Sequence, residues 1–284
     1  MSTDPPVPAL LTRLIDDAAV FPPGSMPVPD ALAAHTDHRS AWYADLVGPL
    51  LLPVSELSRL PTDTPLPAIG VIGDTGLAGV AAAFEAAAAA PQRWVQFEVA
   101  VAKRGEDPQP GLRTLLAEVG VGPDLDVYAE LPLTWGLLDG LDTLATERAA
   151  GARVAAKFRT GGLAAELFPT PVELAAVICA CRDRDLPFKL TAGLHHALRY
   201  TDQDTGLTHH GFLNVLAASL AAGNGAEVAD VSEVLGASDP RPVVAAVREG
   251  LAKQRPLWIG YGSCSLHEPL SDLTALDLLD GGQS

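Results

Sequence analysis

Two runs, Arg153-Val154-Ala155-Ala156-Lys157-Phe158 and Pro187-Phe188-Lys189-Leu190-Thr191, separated by a helical stretch from Pro171 to Asp185, decide the fold. Each run is continuously apolar apart from its charged members rather than alternating, which is the pattern of a strand covered on both faces. A helix joining two such strands makes a parallel βαβ unit. Lys157 and Lys189 each follow a short apolar run, thirty-two residues apart (189 − 157), and the same interval separates Glu98 from Glu130 (130 − 98) near the ends of two earlier runs.

Outward from this unit the alternation continues. Strands are expected at Ala18 to Phe21, Val47 to Leu52, Ala68 to Ile72, Trp94 to Ala100, Asp126 to Leu131, Arg153 to Phe158, Pro187 to Thr191 and Leu257 to Tyr261. Helices are expected at Pro29 to His38, Val54 to Leu60, Leu77 to Ala90, Gly111 to Val119, Trp135 to Ala150, Pro171 to Asp185, Gly211 to Gly250 and Glu268 to Leu279. The alanine run Ala81 to Ala90 reads as an outer-ring helix, since alanine is the best helix former. This predicts an α/β fold, a single (β/α)8 TIM barrel, with Pro8 to Asp16 as an extra helix under its N-terminal end. Residues 1–284 read as one domain, with a disordered start over 1–7 and a tail over 280–284. The long connection after the seventh strand, Leu194 to Gly225, carries His195, His196, Arg199, Tyr200, His209 and His210 and reads as a lid.

A chain of 284 residues with 48% hydrophobic content suits one such barrel, and its net charge of -16 argues against a nucleic-acid or anionic-membrane surface. The start is polar and proline-rich, and no apolar run reaches the roughly 18 to 20 residues of a membrane helix. A cytoplasmic protein is expected, with Cys179, Cys181 and Cys264 as reduced thiols.

Only four of the 19 basic residues are lysine (Lys103, Lys157, Lys189 and Lys253), yet two of them stand inside strands. Unlike arginine, a lysine amine can lose its proton and act as base or nucleophile. In a barrel the C-terminal strand ends meet around one mouth, so Glu98, Glu130, Lys157 and Lys189 on four successive strands form a candidate catalytic set. The two-residue strand period turns Gln96, Tyr128, Arg159 and Thr191 inward with them. Arg159 offers a fork for a carboxylate or phosphate, and Gly161 and Gly162 free N–H groups for the same anion.

Lys157-Phe158-Arg159-Thr160-Gly161-Gly162 resembles the sixth-strand motif of TIM-barrel class I aldolases of the deoxyribose-phosphate aldolase type. Lys189-Leu190-Thr191-Ala192-Gly193 is similar to their seventh-strand lysine motif. Ile259-Gly260-Tyr261-Gly262-Ser263-Cys264-Ser265 resembles their glycine-serine phosphate turn. The likeness spans the last half of the barrel. It implies a lyase in which Lys157 forms a Schiff base and Lys189 depresses its pKa; the chain departs from the family in offering only Glu98 as a counterpart to its catalytic aspartate. Thr160, Gly161, Gly162, Gly262, Ser263 and Ser265 would hold a small anionic substrate, and no cofactor is needed. Phe158 and Arg159 depart from the family's small hydroxyl residues, which bears on the substrate.

Two other readings stand beside this one. Asp74, Glu98 and Glu130 follow the third, fourth and fifth strands and resemble the metal carboxylates of the enolase superfamily, implying Mg2+ or Mn2+ and proton abstraction by a lysine. His195 or His196 could line the mouth as a substrate contact or join the metal set. The third reading is a noncatalytic barrel that binds an anion, with the buried charges as scaffold. A homo-oligomer is compatible with all three.

Overall fold

The computed structural model describes residues 7–60, 66–89, 94–119 and 125–280. Eight parallel strands close a barrel: β1 (Ile15–Asp17), β2 (Val47–Pro53), β3 (Ile69–Ile72), β4 (Trp94–Ala100), β5 (Asp126–Glu130), β6 (Val154–Arg159), β7 (Phe188–Thr191) and, after a small hairpin of β8 (Tyr200–Thr201) and β9 (Thr208–His209), β10 (Trp258–Ser263). Their order around the ring is β1-β10-β7-β6-β5-β4-β3-β2. The α/β barrel expected from the sequence is the fold.

The ring of helices follows from local chemistry. α1 (Val28–Ser40), α2 (Val80–Ala89), α3 (Pro108–Val119) and α4 (Leu137–Ala149) alternate with the early strands. α5 (Pro171–Arg182) starts at a capping box: Glu173 N–H donates to the Thr170 hydroxyl while the Glu173 carboxylate accepts from the Thr170 N–H, and Pro171 needs no partner in the first turn. The stretch expected as one helical region over Gly211 to Gly250 is three helices, α6 (Phe212–Gly223), α7 (Val228–Gly236) and α8 (Pro240–Gly250), before α9 (His267–Ala275). The breaks fall where Asn224-Gly225 and Ser238-Asp239-Pro240 interrupt the pattern, and Asp239 caps α8 through the Arg241 N–H.

Two expectations at the start need correction. The first strand is Ile15–Asp17, not Ala18 to Phe21, and the extra helix over Pro8 to Asp16 is one 3-10 turn, Ala9–Leu11. The paired aspartates hide a strand this short from a search for apolar runs. Val7 is buried, which removes it from the disordered start expected over 1–7; Met1 to Pro6, Ala90 of the alanine helix and the tail over 281–284 lie outside the described residues. The N-terminal turn does sit against the lower end of the barrel. Arg255 donates to the carbonyls of Leu10, Thr12, Trp258 and Ile259, tying that turn to β10.

Strand register sets the site. Glu130 on β5 pairs with Lys157 on β6, and Lys157 pairs with Lys189 on β7, so three charged residues lie side by side at one level. Glu98 pairs with Tyr128, two residues below Glu130 and therefore on the same inward face. Asp16 of β1 faces into the barrel as well, and the neighbouring Gly48 makes that possible: a Cβ at position 48 would fall 1.9 Å from Asp16 Oδ1. Gly70 likewise leaves room for Gln96, whose side chain would lie 2.7 Å from a Cβ there.

Candidate active site

Six charged side chains from five strands form one continuous chain inside the barrel: Asp16, Lys189, Glu98, Lys157, Glu130 and Arg159. Lys157 Nζ lies 2.8 Å from Glu98 Oε2 and 2.9 Å from Glu130 Oε2, and Arg159 Nε is 3.1 Å from Glu130 Oε1. Lys189 donates to Oδ2 of Asp16 and to Oε1 of Glu98. Gln96 Nε2 donates to Asp16 at 2.7 Å and to Glu98 at 3.0 Å, completing the buried end. The Lys189 ammonium also stands 4.9 Å from the centre of the Tyr128 ring, a cation–π contact. Three carboxylates face three cations, so the set carries no net charge, and each buried ion has a hydrogen-bonded partner of opposite sign.

Burial works against every charged form here, and the partners decide the outcome. Burial raises the Glu98 pKa, but Lys157 and Lys189 together bring it down to about 2. Glu130 is held below its usual range because Lys157 and Arg159 outweigh its burial. Burial lowers both lysines, yet Glu130 and Glu98 keep Lys157 above its ordinary value, and Asp16 and Glu98 do the same for Lys189. Asp16 is the exception: desolvation prevails over Lys189 and leaves it raised. Carboxylates therefore bracket both amines, with Glu98 between them. This corrects the expectation that ammonium repulsion between Lys189 and Lys157 leaves one amine neutral at rest. Both are ammonium until a proton is moved.

The exposed end of the chain opens on a cleft of about 200 Å³ at the C-terminal ends of β4, β5 and β6. Glu130 and Arg159 line it together with Arg104, Leu131, Leu133, Leu167, Phe168 and others. Among the described residues Glu130 is thus the one carboxylate that touches both the cleft and the Lys157 amine.

The remaining expected residues divide into those near this chain and those committed elsewhere. Thr191 pairs with Arg159 across β6 and β7. Thr160 is fully buried, and its hydroxyl donates to the Ala192 carbonyl at 2.6 Å, which makes it a backbone tie rather than a substrate contact. Gly161 is required for packing: a Cβ there would come within 2.7 Å of the Gly193 Cα, and Gly162 is pressed on Leu167 in the same way. Gly262 packs beside Leu51 and Ala18. In the glycine-serine turn Ser263 is buried and donates to the Ser265 carbonyl at 2.6 Å, while the Ser265 N–H turns back on Ser263 Oγ at 3.4 Å. That turn is closed on itself.

His195 and His196 diverge. His195 Nδ1 lies 3.4 Å from Glu268 and 4.0 Å from Cys264 Sγ, whereas His196 Nδ1 is 3.3 Å from Asp272. The long connection holds the β8–β9 hairpin, whose His209 ring stacks on Tyr200 and meets Phe168 edge-on. Behind it, buried His210 bonds the Pro169 carbonyl at 2.8 Å. The residues do not fit the divalent-metal alternative. Asp74 is drawn away to Ser55, with its carboxylate 2.5 Å from that hydroxyl, and Glu98 is enclosed by lysines. Among the described residues no group of three His, Cys, Asp or Glu side chains is placed to hold a metal ion.

Asp16 and Arg104 were not among the residues the sequence pointed to. The signal for Asp16 was present in Gly48, a glycine inside a strand that marks close approach by a neighbouring side chain. Arg104 lies on the loop after β4, where no periodicity reports direction.

Fold and site define a (β/α)8 barrel with a charge-balanced set of lysines and carboxylates reaching the C-terminal ends of its strands, an architecture that commonly carries enzymes. Compared with models of known protein families and with curated proteins, the chain matches none. Among the described residues no helix is long and apolar enough to cross a membrane.

Proposed function

We propose that the protein is an aldolase-like lyase that forms a Schiff base between Lys157 and a small anionic carbonyl compound. The observation that carries this reading is the position of Glu98, whose two oxygens each hold one of the paired lysines. In this reading it serves as the counterpart of the family's catalytic aspartate. A purely structural ion-pair layer would not need its most accessible carboxylate, Glu130, to join the amine to an open cleft.

The geometry suits the following steps. An anion entering the cleft binds the free end of the Arg159 guanidinium and offsets its charge, weakening one of the two cations that hold Glu130 low. Glu130 then accepts a proton from the Lys157 ammonium, 2.9 Å away. The neutral amine adds to the substrate carbonyl carbon, and the carbonyl oxygen leaves as water with the two protons given up by nitrogen, one of them returned by Glu130. The resulting iminium draws in the electron pair of the Cα–Cβ bond, which breaks as the β-hydroxyl passes its proton to a carboxylate. Aldehyde and enamine result, and protonation of the enamine carbon followed by hydrolysis restores Lys157. Lys189 holds Glu98 ionised and in place throughout.

The test is inactivation by borohydride. Loss of aldehyde-releasing activity only when substrate and borohydride are present together, and untouched by a chelator, supports the reading. Activity that survives reduction in the presence of substrate contradicts it.

A further inference from the structure

We infer that the ligand of the cleft is a short-chain carboxylate with an apolar body rather than a phosphate ester, and that Arg104 shares with Arg159 the binding of its carboxylate. The inference deepens the reading above and rests on it only for what happens after binding.

Three observations carry it. First, Arg159 uses Nε for Glu130, and among the described residues its two terminal amino groups make no hydrogen bond. Arg104, across the same cleft, donates one bond, from Nη1 to the Glu166 carbonyl at 3.1 Å, and keeps its other N–H groups. A planar fork with free ends fits the two oxygens of a carboxylate.

Second, the lining between the arginines is apolar: Ala102, Leu131, Pro132, Leu133, Leu167 and Phe168. The volume of about 200 Å³ is below the roughly 300–1,000 Å³ of sites that take drug-sized ligands, so the ligand is small. An apolar wall rewards methylene groups and gives nothing to a sugar's hydroxyls.

Third, the charges favour a monoanion. Two guanidinium groups line the cleft against Glu130, Glu166 and Glu173, the last committed to capping α5 at Thr170. A dianion meets more repulsion from that set than a monoanion does. The alternative place for a phosphate, the glycine-serine turn after β10, has its Ser263 hydroxyl committed to the turn itself.

Binding of unreactive probes separates this inference from the chemistry. Pentanoate, propanoate, pentanamide and propyl phosphate are titrated into the full-length protein and followed by ligand-observed NMR. Pentanoate should bind saturably and more tightly than propyl phosphate, with affinity rising about fourfold per added methylene. Pentanamide should bind at least about tenfold more weakly. Arg159→Gln and Arg104→Gln should each weaken pentanoate by about tenfold or more. The Arg104 change lies on an exposed loop outside the buried network, so it tests the site where Arg159→Gln fails to fold. Tighter binding of propyl phosphate, no dependence on chain length, or indifference to Arg104→Gln overturns the inference. Saturable, arginine-dependent pentanoate binding in a protein that forms no borohydride adduct would keep the carboxylate site and remove the imine reading.

Discussion

Glu98 Oε2 and Lys157 Nζ are 2.8 Å apart although β5 separates their strands in the ring. The contact crosses the barrel interior, where a lone charge is costly, so Glu98 is the residue on which the buried set depends most. Replacing it with glutamine leaves both lysines short of a counter-charge. Glu98→Gln should lower stability by about 3–5 kcal/mol in urea unfolding, as breaking a buried ion pair does. Loss below about 1 kcal/mol would mean the ion pairs at Glu98 contribute little.

The Asp16–Gly48 relationship predicts a non-additive pair. Gly48→Ala places a methyl on Asp16 Oδ1 and should cost about 1–3 kcal/mol or more from overpacking. Asp16→Ala should also destabilise, by leaving Lys189 with one carboxylate. In the double variant the added methyl meets empty space, so the combined loss should be at least about 1 kcal/mol smaller than the sum. Additive losses would show that Asp16 does not occupy the space beside Gly48.

Acid should act on two buried groups in turn. Burial brings His210 down to about 4, from an ordinary histidine value of about 6.5, and its Nε2 meets the Pro169 carbonyl. Because the folded form binds this proton less readily than the unfolded chain, the contribution is complete above about pH 6.5 and is lost as pH falls toward about 4, an effect on the order of 3 kcal/mol. Glu98, down at about 2, adds a second loss between about pH 4.5 and about 2, again because its proton is bound more readily after unfolding. His210→Gln retains a donor for Pro169 and cannot titrate, so urea unfolding of that variant should lose the first slope and keep the second. An unchanged slope above pH 4.5 would assign the histidine effect elsewhere.

Much of this was legible in the chain, and the gaps have physical causes. Lys157, Lys189, Glu98 and Glu130 stood out because charge inside an apolar strand is rare, and their common interval of thirty-two residues (189 − 157 and 130 − 98) put them on successive barrel units. β1 was misplaced because Asp16 and Asp17 make up most of a three-residue strand, so no apolar run announces it. Asp17 faces outward to His35, 3.0 Å away, and the adjacent Asp16 faces inward, a division that only the strand period reveals. The role expected of Ser263 is altered by a local bond to the Ser265 carbonyl, and that of Thr160 by a contact between loops distant in sequence. Thr160 meets Ala192, thirty-two positions on (192 − 160), and the Gly161–Gly193 approach is likewise between loops. Arg104 drew no notice because a loop arginine is ordinary until the cleft beside it is seen.

The most direct measurement of the central claim is peptide mapping by mass spectrometry after borohydride reduction in the presence of small oxo-carboxylates, with Lys157→Arg and Lys189→Arg alongside. The account predicts a reduced adduct on Lys157 in the wild type and in Lys189→Arg, weaker in the latter, and none in Lys157→Arg. An adduct confined to Lys189, or no adduct on either lysine while the protein turns substrate over, would contradict it.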